Sequence, residues 1–551
     1  MSAVHASPFS GSWYPEGASE LRSLLEEVFE RSRQRAPFLF PDGLGFVVPH
    51  AGPAYSGTVA AAAYRAIGQH APERVVLLAF PHKGGLKGVA APDVAAISTP
   101  LGEVAIDAGF GGFPAVPEQR VCDHSFEIQL PFLQWAAPQA RVTPLYVGRM
   151  DGAERSAAAC ALAKLWRPGV VFVASSDFTH YGPSFGFTPF PPERAGGRLR
   201  ALDFECIEAA ATLDSTQFLA TLEENGATVC GTAPIALLLD AMRLLNAGMY
   251  QSTLDYQTSG ELTEDFRHSV SYAALGYFPR SAFDLNAADR DALLESARET
   301  LRRLRETREP QAFPALHGSA ALSAHRGVFV SLHRGKELLG CVGKTEGRGP
   351  LSEEVANLTL SAALDDPRFR PAASAEGPID IEISVLTPFR RIRKAEECTV
   401  GKHGLFLKLG GRAGLLLPQV ATELGWTTKE FLEAVARRVP ASSAVDWRPL
   451  FDSAKSLADS RDDFEATLGI GYSLLRDLLH VLLQGPGTEV TNVDVLPRLQ
   501  AWAGSLGLQG IELLKSGLDQ AYRLQVRNIN QQLGFEALGL EVCARSKALA
   551  R

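Results

Sequence analysis

Short apolar runs alternate with helical patterns over residues 43–278. The runs are continuous and aliphatic, which is typical of strands covered on both faces of a sheet. The stretches between them are alanine-rich or amphipathic and predict helices. The three clearest strands are predicted at 44–48, 75–80 and 170–174, and two of the helices at 57–67 and 154–165. This alternation predicts an α/β domain over residues 1–280.

The pattern changes after a polar, aperiodic stretch at 279–288. An amphipathic helix is predicted at 288–308, and alternating apolar and polar residues predict a strand at 379–385. Further strands are predicted at 327–332, 405–409 and 415–417, with a helix at 426–438. We therefore predict a second, α+β domain over residues 285–448.

Strand signals end near residue 452. From there the apolar spacing is helical, and glycine-containing breaks separate the segments 453–484, 494–506 and 510–534. The pattern predicts a third, all-α unit over residues 452–551.

The composition and charge of the chain exclude some classes of function. The chain has 551 residues, of which 46% are hydrophobic and 21% charged, with a net charge of −8. An acidic chain is a poor polyanion binder, so nucleic acid is not expected as the main partner. No apolar run reaches the 18 residues that suggest a membrane span. The first residues have no basic region followed by an apolar one, so a secretory signal is not expected. A cytoplasmic location without membrane contact is expected.

The seven cysteines form no CxxC pair. Zinc ribbons and cysteine-bound iron–sulfur clusters built from local motifs are therefore disfavoured. If the chain binds a metal, histidine must supply much of the ligation.

Polar side chains follow each of the three predicted strands. His50 and His82 follow the first two, and Asp177 follows the third, with His180 just beyond it. Each alone could be a hydrogen-bonded loop residue. Because ligands bind outside the carboxyl ends of strands in open α/β sheets, three such coincidences favour one shared site.

Two further residues could join that site. Cys230 precedes a long apolar helix that Thr232 could cap, and a helix N-terminus tends to lower a thiol pKa and to favour metal binding or nucleophilicity. A small buried residue is the alternative for Cys230. His124 and Glu127 lie three residues apart near a helix start and so share a face. They could be outer-sphere groups, proton carriers or a capping arrangement.

These residues carry a resemblance to the Memo family, whose fold is similar to class III extradiol dioxygenases. The matching motifs are PHAG…YSG (49–57), FPHKGG (80–85), DHSFEIQLPFLQ (123–134), SSDFTHYG (175–182), CGTAPI (230–235) and YQTSG…HSVSYAALGYF (256–278). The resemblance implies that His50, His82 and Cys230 are metal ligands. It also implies that Asp177 and His180 line the pocket as catalytic residues, with His124 near them.

The expected metal is Fe(II), one per chain, with copper or zinc as the alternatives. The dioxygenases bind iron with two histidines and a carboxylate, whereas Cys230 would supply a softer thiolate. The resemblance thus supports a metal pocket more strongly than it supports ring cleavage. Tyr55 and Ser56 are candidates for the pocket wall.

The second domain resembles the AMMECR-type family through LLGCVGKTEG (338–347), AALDDPRFRP (362–371), IDIEISVLTPFRRI (379–392) and GLFLKLGGRAGLLLPQVATELGWTTKEFL (404–432). Leu339 stands where that family has an arginine, and Cys341 is either a reactive thiol or a core cysteine. Memo and AMMECR-type proteins belong to the AmmeMemoRadiSam system. That membership implies a radical SAM protein as partner and an unknown small-molecule or protein substrate.

The tail resembles the collar of a bacterial clamp-loader delta-prime subunit over residues 455–545, which implies oligomerisation through the helical tail and a bacterial source. We expect a metal-dependent, oxidoreductase-like enzyme. The alternatives are a non-catalytic interaction scaffold and a clamp-loader-associated protein.

Overall fold

The computed structural model describes residues 4–335, 337–369, 371, 377–392, 395–409, 412–438, 461–484, 499 and 515. The chain divides into two compact units, Met1–Thr399 and Val400–Arg551. The predicted domain boundary near 280–285 falls inside the first unit, and the predicted boundaries of all three domains stay predictions.

The first 278 residues contain a mixed arrangement of strands and helices, as the alternating pattern predicts. The strands are β1 (Val4–Ala6), β2 (Gly45–Val48), β3 (Arg74–Ala79), β4 (Val89–Pro92), β5 (Ala96–Thr99), β6 (Gly102–Ala105), β7 (Ala115–Val116), β8 (Arg141–Val147), β9 (Val170–Ser175), β10 (His180–Tyr181), β11 (Tyr250–Thr258) and β12 (Ser269–Phe278). The helices are α1 (Ala18–Arg35), α2 (Pro53–Gln69), α3 (His124–Glu127), α4 (Gln129–Ala136), α5 (Gly152–Ala163), α6 (Ala195–Ala210), α7 (Ser215–Asn225), α8 (Thr232–Leu245) and α9 (Ser259–Thr263).

One sheet of nine strands organises this part of the chain. Its order is β10-β12-β2-β9-β3-β8-β4-β7, and β11 pairs with β12. The central strands β2, β9, β3 and β8 are parallel, while β12 and β4 run antiparallel to their neighbours β2 and β8. A smaller sheet has the order β1-β5-β6.

Helices cover both faces of the central sheet, which is why its strands read as continuous apolar runs. Along β3, Val75 and Leu77 point into one hydrophobic core and Val76 and Leu78 into another. The first core also takes residues from α1, α2 and α4, and the second from α5, α7 and α8. The mixed α/β architecture expected from the sequence is confirmed.

The first unit continues with α10 (Ala287–Thr307), β13 (Val328–Arg334), β14 (Glu337–Lys344), α11 (Leu351–Leu364) and β15 (Asp380–Val385). The three strands form an antiparallel sheet with the order β14-β13-β15. Side chains of α10 and α11 share a core with these strands. Each predicted element of this segment lies within two residues of its observed position.

The second unit contains β16 (Leu405–Leu409), β17 (Arg412–Leu416), α12 (Pro418–Glu423), α13 (Thr428–Arg438) and α14 (Arg461–Gln484). The first two pair antiparallel, in the region where strands are predicted at 405–409 and 415–417. The predicted tail helices at 494–506 and 510–534 lie outside the described residues, apart from Leu499 and Lys515. None of the helices in the described segments is long and apolar enough to span a membrane.

Candidate metal centre

Three neighbouring strands deliver the predicted polar residues to one edge of the sheet. β9 lies between β2 and β3, and all three are parallel, with Val48 opposite Ser175 in the β2–β9 pair. His50 comes two residues after β2 and His82 three residues after β3, while Asp177 comes two residues after β9. The convergence expected from the strand ends is therefore observed.

Cys230 reaches the same edge from the turn that precedes α8. The amide of Gly231 donates to Ser176 Oγ at 2.9 Å, which ties this turn to the end of β9. A Cβ at Gly231 would lie only 2.4 Å from Ser176 Cβ. Glycine thus permits the close approach that brings the neighbouring thiol to the strand ends.

The donor atoms of His50, His82 and Cys230 all lie within 4.8 Å of one another. His50 Nε2 is 3.1 Å from Cys230 Sγ, and the two imidazole centroids are 5.2 Å apart. A metal bound at ordinary Zn–N and Zn–S lengths with ligand angles of 90–110° requires N···S separations of about 3.1–3.6 Å. The separation of His50 Nε2 and Cys230 Sγ therefore fits a shared transition-metal ion, and His82 lies close enough to be the third donor.

A buried hydrogen-bond network fixes the orientation of His50. Ser175 donates its hydroxyl proton to the carbonyl of Ser125. Its oxygen is then an acceptor for Gln129 Nε2 and for His50 Nδ1, both at 3.0 Å. Nδ1 consequently carries the ring proton, and the Nε2 lone pair faces Cys230 Sγ.

His82 is held in the same tautomer by a carboxylate. Asp123 Oδ2 accepts from the His82 backbone amide at 2.6 Å and lies 3.2 Å from Nδ1. Burial alone would raise the pKa of Asp123, but hydrogen bonds from His82 and Ser125 bring it below its ordinary value. The carboxylate is thus ionised and accepts a hydrogen bond from Nδ1–H. Nε2 then has no proton and is available to a metal.

The protonation states differ in part from the sequence-based expectation. Burial lowers the pKa of His50 to about 3, so its imidazole is neutral and able to ligate. For Cys230 the expected lowering is wrong: burial, reinforced by the charge of Asp177, raises its pKa. Thr232 is also the first residue of α8 and not its cap, and its hydroxyl donates to the Val229 carbonyl at 2.7 Å. Desolvation therefore outweighs the helix N-terminus, and a bound cation would be needed to hold the thiolate.

Asp177 braces the loop that carries His50. Its Oδ1 accepts from the amides of His50 and Ala51 at 2.7 and 3.2 Å, and its own amide donates to Cys230 Sγ at 3.2 Å. Burial raises the pKa of this carboxyl group, opposed by His180 and by the two amides. Asp177 thus contacts elements bearing two of the three candidate ligands.

His180 and His124 present further imidazoles to the pocket. His180 Nδ1 lies 3.0 Å from the Thr228 carbonyl, so Nδ1 carries a proton and donates to that oxygen. The ring of His124 lies 4.1 Å from that of His82 and stacks at 4.7 Å on Trp13. Burial lowers the pKa of His124 to about 4.

The structure also places residues that the sequence analysis did not assign to the site. Ser175 and Gln129 orient His50, Asp123 orients His82, and Trp13 covers His124. For Ser175, Gln129 and Asp123 the only sequence signal was their position inside the resembling motifs, and Trp13 lies outside all of them. The two residues predicted for the pocket wall differ in burial. Tyr55 is half exposed, whereas Ser56 is buried and donates to the Ala51 carbonyl.

The second predicted domain brings no comparable set of donors together in its described part. Cys341 is half-buried on β14, where its sulfur accepts from the Ser331 hydroxyl at 3.1 Å and its amide donates to Asp366 at 2.8 Å. Leu339 is buried in the core beneath this strand.

Comparison with known proteins places two families along the chain. Residues 6–276 match the family model described as Memo-like protein, and residues 294–450 match the AMMECR1 model. The chain is 31% identical over 291 residues to a MEMO1 family protein of Methanopyrus kandleri, covering 48% of this chain and 96% of that protein. A MEMO1 family protein of Methanosarcina barkeri is 32% identical over 277 residues, covering 48% and 97%.

More distant organisms also contain relatives. The memo-1 homolog of Caenorhabditis elegans is 29% identical over 291 residues, covering 50% of this chain and 81% of that protein. A solved structure of an uncharacterized protein from Pyrococcus horikoshii has 32% sequence identity and a TM-score of 0.25, covering 27% of this chain and 77% of the other. The relatives named are archaeal and eukaryotic, so they do not support the bacterial source implied by the tail.

Proposed function

The chain belongs to the Memo family and carries an AMMECR1 domain after its Memo-like domain, and on this premise we propose that the Memo-like domain is a metal-dependent oxidoreductase. Its ligands are His50, His82 and Cys230. The metal is Fe(II), with copper and then zinc as rivals, and the substrate is an unknown small molecule or protein.

The observation that carries this proposal is that both histidines are held in the same tautomer by a hydrogen-bond partner. Each has its Nδ1 proton held by a fixed acceptor, Ser175 for His50 and Asp123 for His82. Each Nε2 lone pair is therefore available on the side where the donor atoms of the cluster approach one another. Such outer-sphere partners are typical of metal-binding histidines, because they fix the tautomer and the orientation of the ring.

Three protein donors leave coordination positions open, which is typical of catalytic and not of structural metal sites. A bound iron or copper ion would supply Lewis acidity and one-electron redox chemistry. The thiolate makes the donor set softer than the two histidines and carboxylate of the extradiol dioxygenases. We therefore propose a dioxygenase-like pocket but do not propose ring cleavage as its reaction.

The remaining pocket residues are proposed to orient the substrate and to move protons. Because His180 Nδ1 donates to the Thr228 carbonyl, Nε2 is the ring nitrogen proposed to exchange a proton with the substrate. Asp177 holds the His50 loop and orients the pocket, and His124, beside His82 and under Trp13, is the second proton carrier. The side chain of His82 is 30% exposed, which leaves this side of the pocket open to solvent.

The two families in one chain support a wider proposal. We assign the protein to the AmmeMemoRadiSam system, with a radical SAM protein as partner and a cytoplasmic location. The alternative is a scaffold whose Memo-like domain has lost its chemistry. That alternative has support from the second domain, whose described residues bring no metal-binding set together. The collar-like tail, proposed to mediate oligomerisation, lies mostly outside the described residues.

Oxygen uptake tests the enzyme proposal without knowledge of the natural substrate. The chain is loaded anaerobically with Fe(II), and oxygen consumption is followed with ascorbate as the electron donor. We expect uptake well above that of a His50→Ala/His82→Ala variant, which controls for loosely bound iron, and a reduced rate for His180→Ala with its iron retained. Equal uptake by the native chain and the double variant would favour the scaffold.

A further inference from the structure

A second group of metal-binding side chains lies at the N-terminal strand. β1 places His5 beside the segment that precedes α4, where one donor atom each of His5, Cys122 and Glu127 lies within 4.8 Å of the others. β1 is held there by its parallel pairing with β5, in which His5 is opposite Ile97. This group shares no residue with the set formed by His50, His82 and Cys230.

The imidazole of His5 lies between two carboxylates. Its Nε2 is 3.1 Å from Glu127 Oε1, and its Nδ1 is 3.2 Å from Glu118 Oε2. The side chain of Glu127 is fully buried, whereas that of Glu118 is 25% exposed. A protonated His5 would therefore place one positive charge against two negative ones, one of them shielded from water.

One carboxylate oxygen of this group is left without a hydrogen bond. Among the described residues, Glu127 Oε2 is a buried atom that has no hydrogen-bond partner. Buried polar atoms in folded proteins are nearly always partnered, and each exception calls for an unseen water or ion. The hydrogen bond to Glu127, reinforced by Glu118, raises the pKa of His5. A water would satisfy the free oxygen, whereas a divalent cation would satisfy it and also replace the proton on His5.

The third side chain adds a soft donor. Cys122 is buried, and burial, together with the charges of Glu127 and Glu118, raises the pKa of its thiol to about 12. A thiol ligand is deprotonated when it binds a metal, so the same cation would also stabilise the thiolate. Imidazole nitrogen, thiolate sulfur and carboxylate oxygen are the three kinds of ligand that Zn²⁺ takes in proteins.

We propose that His5, Cys122 and Glu127 form a zinc site that is separate from the pocket. Glu118 lies on the other ring nitrogen of His5 and would orient the imidazole. The site would join the N-terminal strand to the residues on either side of Asp123 and His124. Zinc would thereby brace the segment that orients His82.

Cobalt(II) is the probe for this site, because a cobalt–thiolate bond gives a charge-transfer band in the near ultraviolet. The full chain carrying Cys230→Ser is used, so that the pocket contributes no thiolate. We expect the band to persist in Cys230→Ser and to vanish in Cys230→Ser/Cys122→Ser. The matched control is Cys230→Ser/Cys206→Ser, since Cys206 is another buried thiol whose pKa burial raises to about 12 but which lies in no donor cluster of the described residues.

A second variant separates metal binding from folding. His5→Arg keeps a cation between Glu127 and Glu118 but cannot ligate zinc. Added to Cys230→Ser, it should abolish the cobalt–thiolate band and lower the zinc content by one ion per chain, while the far-UV circular dichroism stays native. The proposal is overturned if Cys230→Ser gives no thiolate band, or if the band survives Cys122→Ser or His5→Arg.

Discussion

Replacing Asp123 by asparagine should weaken metal binding at the pocket while leaving the chain folded. Oδ2 of Asp123 accepts from the amide of His82 at 2.6 Å and lies 3.2 Å from its Nδ1. Oδ1 accepts from Ser125, through the amide at 3.0 Å and through the hydroxyl. Asparagine keeps one acceptor oxygen, so one of these two residues must face an NH₂ group in place of an acceptor.

The size of the effect follows from this contact. Loss of the partner that orients a metal-binding histidine typically costs about 10–100-fold in affinity. This range corresponds to about 1.4–2.7 kcal/mol of binding free energy. The unmatched buried donors should also lower the free energy of unfolding, by about 1–3 kcal/mol. That cost is small enough to leave the chain folded if its stability is in the ordinary range.

Competition against a chromophoric chelator measures the affinity, and thermal unfolding of the same samples measures stability. Asp240→Asn is the matched control, because Asp240 is also buried and accepts from Arg155 and Ser215 at 3.0 and 2.8 Å, away from the pocket. We expect both variants to lose stability but only Asp123→Asn to lose affinity. The reasoning is refuted if Asp123→Asn binds as tightly as the native chain, or if Asp240→Asn weakens binding equally.

Three further outcomes are expected. Asp177→Asn should weaken metal binding by roughly 10–100-fold in the same competition assay, because its carboxylate holds the amides of His50 and Ala51; native affinity would contradict this role. A chain shortened after Arg448 should stay soluble and unfold in one cooperative thermal transition, whereas aggregation would show that the tail belongs to the core. The isolated segment 285–448 should bind no stoichiometric transition metal in elemental analysis, and one metal per chain would overturn the assignment of metal binding to the first domain.

The strands and the site edge could be predicted because they depend on local patterns. Continuous apolar runs identify buried strands, and residues that follow parallel strands meet at one edge of the sheet. His50, His82 and Asp177 were found in this way. The order in which β2, β9 and β3 lie side by side was not needed for that prediction.

The outer sphere of the site could not be predicted, since it depends on contacts between distant segments. Asp123 meets His82 across 41 residues, and Gln129 meets Ser175 across 46. No periodicity in the sequence encodes these pairs. The pKa of Cys230 was predicted in the wrong direction because a helix N-terminus can be read from sequence, whereas the burial that outweighs it cannot.

Iron binding by the pocket ligands tests the central claim most directly. The native full-length chain and the His50→Ala/His82→Ala variant, purified without a chelating tag, are loaded with Fe(II) under reducing, anaerobic conditions, and bound iron is counted per chain. The account predicts that the native chain binds one iron more than the variant, while circular dichroism shows the same fold for both. Equal iron content in the two proteins would contradict it.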